Sequence, residues 1–278
     1  MNIFTTILIQ PLTNGLILCY NLLGGNLGLA IIAFSVILRF ILNPLTKPYM
    51  KSMKKMKDFQ PQLAKLQRKY ANDKQKQMAA QAEFYKQNKI NPGAGCLPYL
   101  LQIVILIALF NVFTKVLAAD AGIDKLNELL YAPLRFAEGS SLNTSFLYLN
   151  LSKPDIFRFS FLPIPIPGPF IIIAAVIQFL SAKMMAPAVA TEKKIAKKSP
   201  GKADDISTMM QSSMTYTFPL MTLIFGISFP SGLAIYWLLF SFWQFIQQYQ
   251  TSGWGGLTPW LSKLSLLKSQ NKTTNDKK

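Results

Sequence analysis

Residues 27–45 read LGLAIIAFSVILRFILNPL, an apolar run whose one charged side chain is Arg39. A helix needs roughly 20 mostly apolar residues to cross a hydrocarbon core of about 30 Å, because every backbone polar group must be satisfied within the segment. Four further stretches have the same character: 97–118 (LPYLLQIVILIALFNVFTKVLA), 169–186 (PFIIIAAVIQFLSAKMMA), 212–229 (SSMTYTFPLMTLIFGISF) and 232–250 (GLAIYWLLFSFWQFIQQYQ). Any one of them could be a buried core helix of a soluble domain. Five within 278 residues leave too little polar chain to cover them.

Composition agrees. The chain is 51% hydrophobic and 15% charged, against about 25% charged residues in an ordinary soluble domain. The expected fold is therefore an all-α polytopic membrane protein with five transmembrane helices. There is no histidine, and the two cysteines, Cys19 and Cys96, stand far apart. This excludes His-based triads, His-ligated metals, CxxC redox motifs and a disulfide framework, and no cofactor or metal is expected. No Ser/Lys or paired-carboxylate constellation is suitably placed, so no enzyme is expected. A net charge of +17 could suggest nucleic acid, but the hydropathy argues for a membrane, and no specific nucleic acid is expected.

The basic residues assign sides. Residues 46–96 hold 12 Lys/Arg and 3 Asp/Glu, residues 119–168 hold 4 and 5, residues 183–205 hold 6 and 3, and the tail from 251 holds 5 and 1. Short loops rich in Lys and Arg stay cytoplasmic. The spans then run from an outside N-terminus to a cytoplasmic C-terminus, with 119–168 external and 251–278 a basic cytoplasmic tail. Residues 1–25 are apolar but lack the basic n-region of a signal peptide, so a cleaved signal is not expected. The run ending at Cys19 lacks the small residues of a lipoprotein site. Asn2, Thr6, Gln10, Thr13 and Asn21 recur at helical steps or their multiples, which suggests an interfacial amphipathic segment rather than a sixth span.

Between the first two spans, residues 46–92 read as a helical hairpin joined near Ala71–Asp73. Met53, Met56, Phe59, Leu63, Leu66 and Tyr70 form a narrow stripe on its first arm, and Met78, Ala82 and Tyr85 a sparser one on its second. Two compatible readings stand. The hairpin is a basic surface drawn to anionic lipid at about 1 kcal/mol per nearby charge, or a Met-bearing contact surface (Met53, Met56, Met78) for a nascent apolar segment or a partner.

Arg39 is the residue that hydrocarbon does not tolerate, at about 2.5–3.5 kcal/mol on insertion scales. No Asp or Glu occurs in any of the five stretches to neutralise it. Snorkelling toward the cytoplasmic end is one resolution. The other is a hydrophilic pocket inside the membrane, for which Ser35 and Asn43 lie one turn to either side on the same helical face. Gln102 and Asn111, Gln178 and Ser181, Thr215 and Thr217, and Ser241 and Gln244 add polar groups from the other spans. Individually these are commonly helix-to-helix hydrogen bonds. Tyr236 and Trp237 could line such a pocket or could be packing and interface aromatics.

Taken together, GNLGLAIIAFSVILRFILNPLT at 25–46, MKSMKKMKDFQPQLAKLQRKYANDKQK at 50–76, NPGAGCLPYLLQIVILIALF at 91–110, PFIIIAAVIQFLSAKMMAP at 169–187 and FPLMTLIFGISFPSGLAIYWLLFSFWQFIQQY at 218–249 resemble the YidC/Oxa/Alb family of membrane protein insertases. The resemblance covers roughly residues 24–250 in one order. It implies a five-helix core at 26–250 around a hydrophilic groove that is closed to the outside and open to the cytoplasm and lipid. Arg39 then matches the family's groove arginine, Ser35 a small hydroxyl of the same groove, and Gln178 and Trp237 its polar and aromatic positions. Residues 1–25 match the interfacial helix that precedes the core. The external segment 119–168 is longer than the family pattern, and its LPIPIPGPF end has no assigned role.

These features imply an insertase and chaperone of the bacterial plasma membrane. Nascent membrane proteins and anionic lipid are its expected partners, with a Sec-type translocon and the ribosome as further ones. Polar or acidic substrate segments would enter the groove, and Arg39 would attract a carboxylate by up to about 4 kcal/mol at 4 Å with an effective dielectric near 20. The alternative is a small-solute transporter or channel, for which a buried Arg is also a common site, although the halves show no convincing repeat.

Overall fold

The computed structural model of the chain describes residues 3–70, 73–89, 97–117, 122–161, 163–185 and 215–263. Helices dominate it, in keeping with an all-α protein. A π-helical turn, Thr5–Ile9, leads into α1, Gln10–Leu22, whose first turn carries a proline where no amide donor is needed. Gly24 and Gly25 end it with φ of 67° and 75°, a conformation that costs glycine little. The Gly25 amide donates back to the Tyr20 carbonyl at 2.9 Å. Asn26 then caps the next helix, its Oδ1 accepting from the Leu29 amide at 3.0 Å.

That helix, α2, is continuous from Leu27 to Lys69. Where the sequence suggests a span ending at 45 and a hairpin beginning at 46, the helix runs through Pro44 and Pro48 without a break. Each proline withholds one amide from the ladder. Thr46 Oγ1 donates to the Asn43 carbonyl at 3.0 Å in this stretch, the way hydroxyls support proline-containing helices in apolar surroundings.

The remaining elements are α3, Lys74–Gln87; α4, Leu97–Leu117; α5, Gly122–Asn127; two antiparallel hairpins, β1 (Ser145–Phe146) with β2 (Leu149–Asn150) and β3 (Ile156–Phe157) with β4 (Ile166–Pro167); α6, Pro169–Met185; α7, 215–226; α8, Ser231–Ser252; and α9, Thr258–Lys263.

Two compact units divide the chain. The first comprises Met1–Pro48, Cys96–Ala175 and Leu220–Phe242. Its core joins Leu16 and Ile17 of α1, Leu27 and Ile31 of α2, Leu109 and Phe113 of α4, Leu126 of α5 and Leu130 after it, and Leu233 of α8. Asn14 is buried in it and makes three bonds: its Nδ2 donates to the Gln10 and Leu129 carbonyls, both at 2.8 Å, and its Oδ1 accepts from the Tyr131 amide at 2.7 Å. The turn after β2 also closes on the start of α8, where Ser231 Oγ donates to the Asn150 carbonyl at 2.8 Å and the Ser231 amide to the Lys153 carbonyl at 2.9 Å. Residues 122–153 thus carry built structure tied to α1 and α8.

On the outside of the same unit the helices present apolar side chains: Val36, Ile37, Phe40 and Ile41 of α2, Ile103, Val104 and Ile107 of α4, and Ile172 and Ile173 of α6. Ahead of α1, Ile3 and Ile7 are exposed, as are Leu18 and Leu22 within it, whereas Thr13 is buried. Thr13 Oγ1 donates to the Ile9 carbonyl at 2.8 Å, which satisfies it without solvent. Among the described residues, one helical window, Leu27–Pro44 with a mean hydropathy of 2.0, is long and apolar enough to cross a membrane, and Ile103–Val116 and Pro169–Met184 are shorter apolar runs.

The second unit comprises Tyr49–Gly95, Val176–Pro219 and Trp243–Lys278. Here the second half of α2 and α3 meet through Phe59 and Phe84, whose rings stand edge to face with centroids 5.7 Å apart. Asp73 caps α3 by accepting from the Lys76 amide at 3.0 Å. Elsewhere in the unit Phe179 contacts the rings of Tyr216 and Trp260, and Lys183 Nζ lies 3.8 Å over the Trp260 ring.

Candidate substrate groove

One face of α2 builds the site. Phe34, Ser35 and Leu38 point inward, Val36, Ile37, Phe40 and Ile41 point outward, and Arg39 lies half-buried at the margin. Ser35 and Asn43 flank it by one turn each, as the helical period requires. The Ser35 hydroxyl is buried and donates to the Ile31 carbonyl of its own helix. Its one proton is thereby committed, and the oxygen keeps its capacity to accept.

Arg39 reaches across to α8. Its Nη2 donates to the Phe240 carbonyl at 3.3 Å, and its Cζ stands 4.0 Å from the centroid of the Phe240 ring. The carbonyl dipole and the negative face of the ring stabilise the cation without cancelling its charge. No carboxylate among the described residues pairs with it. One of the five N–H donors of the guanidinium goes to the carbonyl, so the group keeps both its full charge and donors for a further acceptor.

Around this pair α8 is aromatic. The Tyr236 ring lies 6.5 Å from that of Phe240, and Trp237 lies 5.7 Å from Phe229. Trp237 Nε1 is buried with no hydrogen-bond partner among the described residues, a costly condition for an indole donor. The structure brings Ser35, Arg39, Asn43 and Trp237 into the first unit.

Gln178 lies in the second unit, buried on α6. Gln102 lies on α4, and Met53 and Met56 on α2; their side chains fall outside the described residues. Met78 on α3 is 64% exposed. Several polar residues of the apolar segments bond within their own helices: Asn111 Nδ2 to Ile107, Ser181 Oγ to Ile177 and Ser241 Oγ to Trp237, each at 2.8 Å to the carbonyl. This is the commoner use of such groups and removes them from the count of groove donors.

Phe240 is the partner of Arg39 that sequence reasoning missed. An aromatic residue in a membrane helix carries no signal of its own. Its spacing one turn beyond Tyr236 would have placed it on the same face as the other α8 aromatics.

Comparison with known proteins identifies the family. A family model described as 60Kd inner membrane protein matches residues 18–254. Similar proteins include the membrane protein insertase YidC of Fusobacterium nucleatum, 34% identical over 226 residues covering 81% of this chain and 85% of that protein. Those of a Jannaschia species (34% over 230 residues, 81% of this chain and 32% of that protein) and of Pelobacter propionicus (32% over 235 residues, 84% and 36%) are similar too. The chain thus spans most of the Fusobacterium protein and about a third of the other two. Arg39, Phe240 and the segments that hold them lie within the residues 18–254 that the family model matches, and the chain belongs to the 60Kd inner membrane protein family, that of the YidC-type membrane protein insertases.

Proposed function

We propose that this chain inserts newly made membrane proteins by receiving their polar or acidic segments at Arg39, while the apolar segment moves along the protein's lipid-facing side into the bilayer. The observation that carries the reading is the state of Arg39: half-buried, held by the Phe240 carbonyl and ring, and without a carboxylate partner among the described residues. Such a group is a standing site for a substrate carboxylate. Ser35 supplies an acceptor one turn away, and the Trp237 indole a donor that a substrate backbone carbonyl would satisfy. Asn43 and Gln102 extend the polar lining in this reading.

Five spans with the N-terminus outside and the C-terminus in the cytoplasm place the basic stretch 46–96 inside. There the hairpin, with Met53, Met56 and Met78, meets substrate and anionic lipid. A Sec-type translocon and the ribosome are the partners this placement makes accessible. The apolar side chains exposed along α2, α4, α6 and α7 support a multi-pass arrangement, since surfaces of this kind are stable against lipid and not against water. No nucleotide is needed. Partition of the apolar segment and the membrane potential, about 2.3 kcal/mol per charge per 100 mV, drive release.

The test is depletion of the native insertase in a bacterial host, followed by complementation with this chain or its Arg39→Ala variant and protease mapping of a small Sec-independent substrate. Rescue by the parent chain and loss in a normally expressed variant is the expected result. A well-expressed parent chain that fails to rescue would sink the proposal and favour solute transport.

A further inference from the structure

The external segment ends in a hairpin whose base is fixed and whose tip is apolar and uncovered. At the base, Tyr148 OH donates to Asp155 Oδ2 at 2.8 Å, and the Tyr148 ring lies 6.2 Å from that of Phe170 in the first turn of α6. The Gly168 amide donates to the Asp155 carbonyl at 2.7 Å, and a Cβ at Gly168 would meet the Asp155 carboxylate at 1.8 Å, so the two ends of the hairpin close on each other. Pro154 bridges Pro230 at the entry to α8. The tip carries Phe159 and Phe161, with ring centroids 5.5 Å apart, and Ile164; Phe161 is 78% and Ile164 67% exposed.

Large apolar side chains held out on a braced hairpin need a surface to lie against. Position and charge name that surface. β4 ends two residues before α6, whose Ile172 and Ile173 are themselves exposed and apolar, so the tip adjoins the face read above as lipid-exposed. Residues 156–168 contain Arg158 and no acidic residue. Aromatic side chains settle at the level of the lipid headgroups, and an arginine there pairs with phosphate.

We infer that the hairpin of β3 and β4 dips into the membrane and seats Phe159, Phe161 and Ile164 in the interface of the leaflet where α6 begins, with Arg158 on an anionic headgroup. This inference rests on the external placement of 119–168. It gives the LPIPIPGPF stretch a role, anchoring the outer end of α6 at a fixed depth.

The test uses the full chain with Cys19→Ser and Cys96→Ser, reconstituted alone in vesicles of phosphatidylethanolamine and phosphatidylglycerol or of phosphatidylcholine. One cysteine is introduced at a time, as Phe161→Cys, Gly139→Cys or Ile173→Cys, and labelled with a polarity-sensitive fluorophore. The probe at 161 is expected to emit to the blue of the probe at 139. It should be quenched by lipids with a nitroxide near the headgroup and be protected from aqueous iodide. Adding Arg158→Gln should remove any excess of lipid quenching in the anionic vesicles over the neutral ones. Iodide quenching at 161 equal to that at 139 overturns the inference and would point to a protein partner for the tip. If the probe at 173 also escapes lipid quenching, the membrane placement of α6 fails instead, so the two failures are told apart.

Discussion

Replacing Phe240 by leucine removes the ring that lies 4.0 Å from the Arg39 Cζ but keeps the carbonyl that accepts from Nη2 at 3.3 Å. A cation over an aromatic ring gains about 0.5–1 kcal/mol when exposed and about 2 when desolvated. Arg39 is half-buried, so about 1 kcal/mol of its positioning comes from the ring, a factor of roughly five in equilibrium. The ring covers a face of the guanidinium and leaves edge donors for a carboxylate, so it pre-organises the group rather than competing with substrate. Phe240→Leu should therefore lower insertion of a substrate with an acidic tail by roughly fivefold, with much less effect on a neutral-tailed version. The assay is protease protection of both substrates in vesicles bearing the purified chain. In a double-mutant cycle, Phe240→Leu should add little once Arg39→Ala is present, a coupling of about 1 kcal/mol. Equal losses for the two tails, or strictly additive effects with Arg39→Ala, would refute the reasoning.

Three further outcomes follow from the packing and the caps. Asn14→Leu leaves the Leu129 carbonyl and the Tyr131 amide without their partner, at about 1–3 kcal/mol per buried group; the thermal midpoint in detergent should fall by several degrees, and an unchanged midpoint would contradict the role of Asn14 as a tie. Gly226→Ala sets a Cβ 2.6 Å from Ile171 Cγ2, an overpacking cost of about 1–3 kcal/mol; Gly226→Ala with Ile171→Leu, which lacks the branch methyl at Cβ, should recover part of the lost midpoint, and no recovery would place the strain elsewhere. The Asp73 carboxyl is held below its ordinary value, chiefly by the Lys76 amide and then by the Lys76 side chain. Because the folded value is depressed, its support of α3 is present above the unfolded value, about 3.9, and disappears as pH falls through the lower folded value. The Lys76 amide resonance should titrate in that acidic window in the parent chain and stay flat in Asp73→Asn, and titration in the variant would assign the effect to another group.

How far the sequence carries can be judged residue by residue. The helices were legible because apolar length and period are local properties: the stretches beginning at 27, 97, 169 and 232 all fall on helices. The family was legible from collinear motifs. The continuity of α2 through 45–46 was not legible, because apolar length marks where a candidate span ends and not where its helix does. The tie made by Asn14 was invisible, since one polar residue in an apolar run does not announce partners more than a hundred positions away. Arg39 stood out through its charge alone, but Phe240 did not, because its contribution depends on where a carbonyl and a ring face lie after α2 and α8 have packed. The polar stripe was overcounted: Asn111, Ser181 and Ser241 spend donors on their own helices, a choice the residue type leaves open.

The central claim is that an uncompensated positive charge at position 39 receives acidic substrate segments. It is tested most directly by insertion into vesicles carrying the parent chain, Arg39→Lys or Arg39→Ala, scored for matched acidic and neutral tails across a range of salt. The expected result is that Arg39→Ala loses most of the acidic-tail insertion while Arg39→Lys keeps much of it. The acidic-to-neutral ratio should fall toward one in Arg39→Ala and respond weakly to salt in the parent, as a partly buried charge does. An Arg39→Ala chain that inserts both tails as well as the parent, or loses both equally, would contradict it.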